Sequence, residues 1–113
     1  MTKGSVVLVP FPFDDLSALK VRPAVCLTDP VGPHRHVVLA FITSRAQAEP
    51  LDSDVVLDSH SPDFAATGLR VPSMLRLHRL MTLSASLIQR RLGELPASIQ
   101  STVAQKLRGL FKL

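Results

Sequence analysis

The hydrophobic period of this chain changes at Pro96. Beyond it Ile99, Val103, Leu107 and Leu110 recur at i, i+4, i+8 and i+11, which is one stripe of an α-helix. Pro96 suits the first helical turn, and Lys106, Arg108 and Lys112 gather where positive charge opposes the negative pole of the helix dipole. Before Pro96 the chain divides into short β-rich segments separated by turn residues, the spacing of a small barrel or sandwich. With 113 residues and 46% hydrophobic content, there is material for one core and little room for a second. The expectation is therefore a mainly β (α+β) fold in a single domain, residues 1–113, with a C-terminal helix.

The segments can be placed individually. Ser5 to Val9 is a β-branched run, ending at Pro10, that reads as a strand buried on both faces. Asp14 to Val21 is polar and loop-like. Pro23 to Thr28 and His36 to Thr43 read as an antiparallel pair around a turn built on Asp29, Pro30, Gly32 and Pro33. Asp54 to Leu57 reads as a short strand, and Asp58 to Gly68 as a long surface loop. Ser73 to Thr82 alternates for part of its length, with Leu75 and Leu77 on one face and Arg76 and His78 on the other. Leu87 to Leu92 reads as a further strand, ended by Gly93.

Several function classes are excluded by what the chain lacks. The longest apolar runs, Val6 to Phe13 and Val37 to Ile42, fall well short of the roughly 20 residues of a spanning helix. Two prolines break the first run, Asp14 and Asp15 close it, and no small-residue cleavage site follows, so a cytoplasmic protein is expected. Cys26 is the single cysteine and reads as a small buried hydrophobe between Val25 and Leu27. His34 and His36 form a His-x-His pair without neighbouring Cys, Asp or Glu to complete a ligand set, so neither a metal nor another cofactor is expected. Gly-x-Ser-x-Gly, Walker, dinucleotide and His-Glu-x-x-His motifs do not occur.

Charge is distributed unevenly. Residues 1 to 63 hold five Lys/Arg against eight Asp/Glu, a balance of −3, whereas residues 64 to 113 hold eight against Glu94 alone, a balance of +7. Arg70, Arg76, Arg79, Arg90 and Arg91 make the second half arginine-rich, and the guanidinium fork matches phosphate oxygens. A solvated basic face satisfies the same pattern. The mean hydropathy of +0.25 favours apolar surface covered by a partner, most simply a second copy of the chain. With five Phe and no Trp or Tyr, extensive base stacking on aromatic platforms is not expected.

An ordered set of motifs remains: Gly4-Ser5-Val6-Val7-Leu8-Val9-Pro10-Phe11-Pro12-Phe13, Lys20-Val21-Arg22-Pro23-Ala24, Ile42-Thr43-Ser44, Gly68-Leu69-Arg70-Val71-Pro72-Ser73, and Thr82-Leu83 before Arg91-Leu92-Gly93. In this combination, from Gly4 through Leu113, the chain resembles the MazF/PemK family of toxin endoribonucleases of type II toxin-antitoxin systems. The resemblance implies an SH3-like small barrel of about five to seven strands with a C-terminal helix. It further implies a cytoplasmic homodimer, metal-independent cleavage of single-stranded RNA, and neutralisation by a cognate antitoxin. Matched motif by motif, Arg22 falls on the family's catalytic arginine and Thr43 on its catalytic threonine. Ser17, Lys20, Ser44, Arg45 and Arg76 are the candidate RNA contacts.

Taken alone, Arg22 fits a structural arginine entering a strand better than a catalytic one, and Thr43 fits ordinary strand chemistry. Ser17 and Lys20 equally fit a solvated loop. Three departures from the family pattern stand out: Ser5 where many relatives have Asp, Ala18 where a loop Gly is common, and His78 where Asp often follows the strand arginine. Two alternative readings share the fold. One is a CcdB-like toxin that binds DNA gyrase; the other is a catalytically silent RNA-binding protein.

Overall fold

The computed structural model describes residues 2–11, 20–44 and 49–113. They form six strands, β1 (Ser5–Phe11), β2 (Lys20–Cys26), β3 (His36–Ser44), β4 (Asp54–Leu57), β5 (Ser73–Ser84) and β6 (Arg90–Glu94), followed by a helix, α1 (Ala97–Phe111). All pairings are antiparallel, in the order β4-β5-β3-β2-β1-β6. The sheet curls into a half-barrel, the mainly β architecture with a C-terminal helix that the sequence predicts.

Successive residues of the central strands enter two different cores. Val6 of β1, Val25 of β2 and Ala40 and Ile42 of β3 join Leu75, Leu77, Leu95 and Val103 in one cluster. Their neighbours Val7, Val9, Ala24, Cys26, Val37, Leu39 and Phe41 join Leu83 in the other. Period-2 alternation explains the split, and it is why β1 reads as an unbroken apolar run. Val103 carries α1 into the first cluster, with Ile99 and Leu107 packed beside it. Leu110 was expected on the same stripe but is exposed, as are Phe111 and Leu113.

Four departures from the sequence reading bear on how the elements pack. β2 begins at Lys20, with Pro23 inside it. Pro23 is tolerated because at its level β2 pairs with β1, through Leu8, while the ladder to β3 starts one residue later at Ala24; a residue without an N–H fits where a ladder ends. The segment Asp58 to Gly68 contains a 3₁₀ turn at Phe64–Thr67, and Thr67 is fully buried. Its hydroxyl donates to the Phe64 carbonyl at 2.6 Å and accepts from the Leu69 N–H at 3.2 Å, which meets its polar needs within the turn. A second 3₁₀ turn, Ala85–Leu87, precedes β6.

The fourth difference concerns Gly93, which lies inside β6 rather than ending it. A Cβ there would run into the Ala66 carbonyl oxygen and the Thr67 carbonyl. Gly68 makes the reciprocal contact, since at φ 72° its Cβ would strike the Leu92 carbonyl oxygen. Two glycines thus let the 3₁₀ turn lie directly on β6.

Candidate active site

The groove starts where β2 and β3 part. Their register pairs Ala24 with Phe41, Val25 with Ala40 and Cys26 with Leu39. Carried two residues further, it sets Arg22 opposite Thr43, on the face that Ala24 and Phe41 share. On the other side of β2, Val9 pairs with Arg22 and Phe11 with Lys20. By the same alternation Phe11 and Arg22 therefore share that face. Pro23 cannot extend the ladder toward β3, so the strands open just where these side chains project.

The resulting cavity has a volume of about 430 Å³. Arg22, Pro23, Thr43 and Ser44 line one part of it, Arg70 and Val71 another, and Phe11, Phe41 and Arg79 complete it. Arg22 and Ser44 are exposed and Thr43 is half-buried. Three arginines therefore line one concavity, and no Asp or Glu lines it among the described residues. The Phe11 ring packs edge-on to Phe41, with centroids 4.8 Å apart and planes at 89°. The Arg22 and Arg79 guanidinium carbons lie 5.7 and 5.5 Å from the Phe11 centroid, within cation-π range. Chemically, the groove offers positive charge and hydroxyl donors to an anion, with Phe11 and Phe41 in its lining.

The other candidates are placed as follows. Ser17 and Arg45 lie outside the described residues. Lys20 is exposed at the start of β2, opposite Phe11, and is not among the residues lining the cavity. Arg76 is also away from it. Its Nε and Nη2 donate to Asp54 Oδ1 and Oδ2, both at 3.2 Å, and the Asp54 side chain is 0% exposed. The Leu51 N–H donates to the same carboxylate at 2.8 Å, and His78 Nδ1 stands 4.0 Å from it. Asp54 thus ties β4 and the turn before it to β5.

Arg79 and Phe11 were not singled out as site residues from the sequence. Strict alternation along β5 would have turned Arg79 inward with Leu75 and Leu77, so its place in the groove had no pattern signal. His34, in an exposed turn, and His36, the exposed first residue of β3, have ring centroids 5.9 Å apart. No group of three or more His, Cys, Asp and Glu able to hold a metal occurs among the described residues. Cys26 is buried, and desolvation pushes its thiol pKa up, against a smaller opposing pull from the chain's N-terminal charge. Among the described residues, no helix is long and apolar enough to cross a membrane.

Known proteins resemble the chain in sequence family and in fold. Residues 2–111 match the family model described as PemK-like, MazF-like toxin of type II toxin-antitoxin system. Among solved structures, the chain is similar to the Mycobacterium tuberculosis toxin MazF-mt6 at 26% identity. That alignment covers 96% of this chain and 97% of the other, with a TM-score of 0.73. The fold is also that of MazF from Deinococcus radiodurans (22% identity, 100% and 97% covered, TM-score 0.69). It is shared too by a mycobacterial endoribonuclease solved in complex with its cognate antitoxin (14% identity, 100% and 96% covered, TM-score 0.71). No curated protein sequence matches the chain.

Proposed function

The chain belongs to the family of PemK-like, MazF-like toxins of type II toxin-antitoxin systems, and from that premise we propose that it is a metal-independent endoribonuclease acting on single-stranded RNA. The observation that carries the reading is the shared groove of Arg22 and Thr43, two residues 21 positions apart in sequence whose strands part beside them. In the proposed reaction the ribose 2′-oxygen bonds to the adjacent phosphorus and the bond from phosphorus to the 5′-oxygen breaks. The 2′-hydroxyl proton is lost and the departing 5′-oxygen gains one. Negative charge builds on the non-bridging oxygens and on the leaving oxygen.

Arg22 meets that charge through two parallel N–H donors, and the Thr43 hydroxyl adds a third; one well-placed donor contributes about 3 to 4 kcal/mol to such a transition state. In this reading Arg22 acts as a charge stabiliser. Arg70 and Ser44 extend the polar lining along the strand's path. The cognate antitoxin and a homodimeric assembly are part of the same proposal. They are supported by the antitoxin complex of the mycobacterial fold relative and by the surplus of apolar residues in this chain.

Incubation with a long mixed-sequence RNA in EDTA, followed by mapping of the cut ends, tests the function. Products with 2′,3′-cyclic phosphate and 5′-hydroxyl ends are expected. Cleavage that requires added Mg²⁺ refutes the mechanism. RNA left intact while DNA gyrase is inhibited moves the protein to the gyrase-binding class.

A further inference from the structure

Arg79 reaches the groove because β5 breaks step. In the β3 ladder Phe41 pairs with Arg76 but the next residue, Ala40, pairs with Leu80. Leu77, His78 and Arg79 thus form an unpaired bulge, and three extra residues reverse the alternation. Leu75, before it, and Leu77, its first residue, face the cluster beneath α1; after it, Met81 and Leu83 face the opposite one. Without the bulge Arg79 would point into an apolar core. With it, the guanidinium lies 5.5 Å from the Phe11 centroid, on the ring that Arg22 also contacts. Bulges commonly re-aim a side chain next to a site in this way.

The electrostatics of this arrangement call for an anion. Two like charges at most about 11 Å apart, judged from their distances to one ring, have no carboxylate partner among the described residues. A second phosphate, next to the one at Arg22, neutralises the second charge. Resting on the nuclease reading above, we propose that Arg79 is a phosphate-anchoring residue. It holds the backbone phosphate adjacent to the reacting one, and Phe11 sets the position of its guanidinium. Its part is to bind and align the strand, while Arg22 meets the charge of the transition state.

Binding and rate separate these roles. The binding probe is a single-stranded oligoribonucleotide carrying 2′-O-methyl groups throughout, which cannot be cut, measured by fluorescence anisotropy over a salt series. Arg79→Gln is expected to weaken binding about tenfold and to flatten the plot of log K against log salt by about 0.7, the loss of one phosphate contact to a single strand. Arg79→Lys should restore the slope, and Arg108→Gln, on α1 outside the groove, should leave it unchanged. With unmodified RNA in single turnover, Arg79→Gln should raise the protein concentration for half-maximal rate by a similar factor. The rate at saturation should stay within about threefold of wild type, because an anchor acts before the transition state.

An unchanged salt slope in a folded Arg79→Gln protein overturns the anchor. So does a saturated rate that falls as far as that of Arg22→Ala. Wild-type protein that binds the methylated strand with the Arg79-dependent slope, yet leaves unmodified RNA whole, upholds the anchor and refutes the nuclease reading instead.

Discussion

Arg22 and Arg76 carry the same cation into opposite surroundings. Arg22 is exposed, faces the groove and has no ion-pair partner among the described residues, so its charge is free to act on a ligand. Arg22→Ala should therefore lower the RNA cleavage rate by at least about 100-fold, the effect of losing one transition-state donor, without shifting the urea midpoint. A folded variant with full activity removes Arg22 from the mechanism. Arg76, by contrast, is only 21% exposed and grips a fully buried carboxylate. Removing one member of a buried pair leaves the other desolvated, at a cost of about 3 to 5 kcal/mol. Asp54→Ala is expected at the low end of that range, because water can still reach part of the Arg76 guanidinium. Urea unfolding gives the answer, and a loss below about 1 kcal/mol would show that the pair does not hold β4 to β5.

Among the elements, the contact between β6 and the Phe64–Thr67 turn has the longest reach. Gly68 leads directly into Leu69, Arg70 and Val71, which line the groove, so whatever shifts the turn shifts that wall. Gly93→Ala pushes a methyl group against backbone carbonyls of Ala66 and Thr67, and overpacking of this kind costs about 1 to 3 kcal/mol. Cleavage efficiency should fall under conditions where the variant is still fully folded; unchanged stability and activity would show that the turn is not seated on β6. This contact is also where sequence legibility ends. Alternation in Ser5 to Val9 and at Leu75 and Leu77 announces strands and their buried faces, and the stripe through Val103 announces the helix. A glycine read as a stop at position 93 is instead a packing device, since the approach of another backbone leaves no periodic trace. The β5 bulge is equally silent, because three residues of ordinary composition reverse the face of all that follow. The ordered motifs single out Arg22 and Thr43, which line one groove, whereas Arg79 joins that lining only through the bulge.

At the scale of the whole molecule, mean hydropathy and charge distribution act together. Nine large apolar side chains, among them Val31, Leu51, Val71, Leu87, Phe111 and Leu113, remain exposed among the described residues. A second copy is the simplest cover for part of that surface, and light scattering at micromolar concentration should give about twice the 12.3 kDa chain mass. A monomer there refutes the homodimer. The +7 balance of residues 64 to 113 bears on a different partner. An antitoxin with an acidic, partly disordered tail would gain by folding along the basic groove, where Arg22, Arg70 and Arg79 converge, and a disordered segment can wrap a large surface as it orders. Charge attraction of this kind acts on encounter more than on the final contacts, and it is screened over about 10 Å at 0.1 M salt. The association rate of toxin and antitoxin should therefore fall steeply as salt rises, while dissociation changes less. The product of the adjacent gene is the candidate to test, by stopped-flow mixing alongside an RNA cleavage assay. If it binds and cleavage continues unaffected, occupation of the groove is not how the toxin is silenced, and docking elsewhere on the molecule becomes the account to pursue.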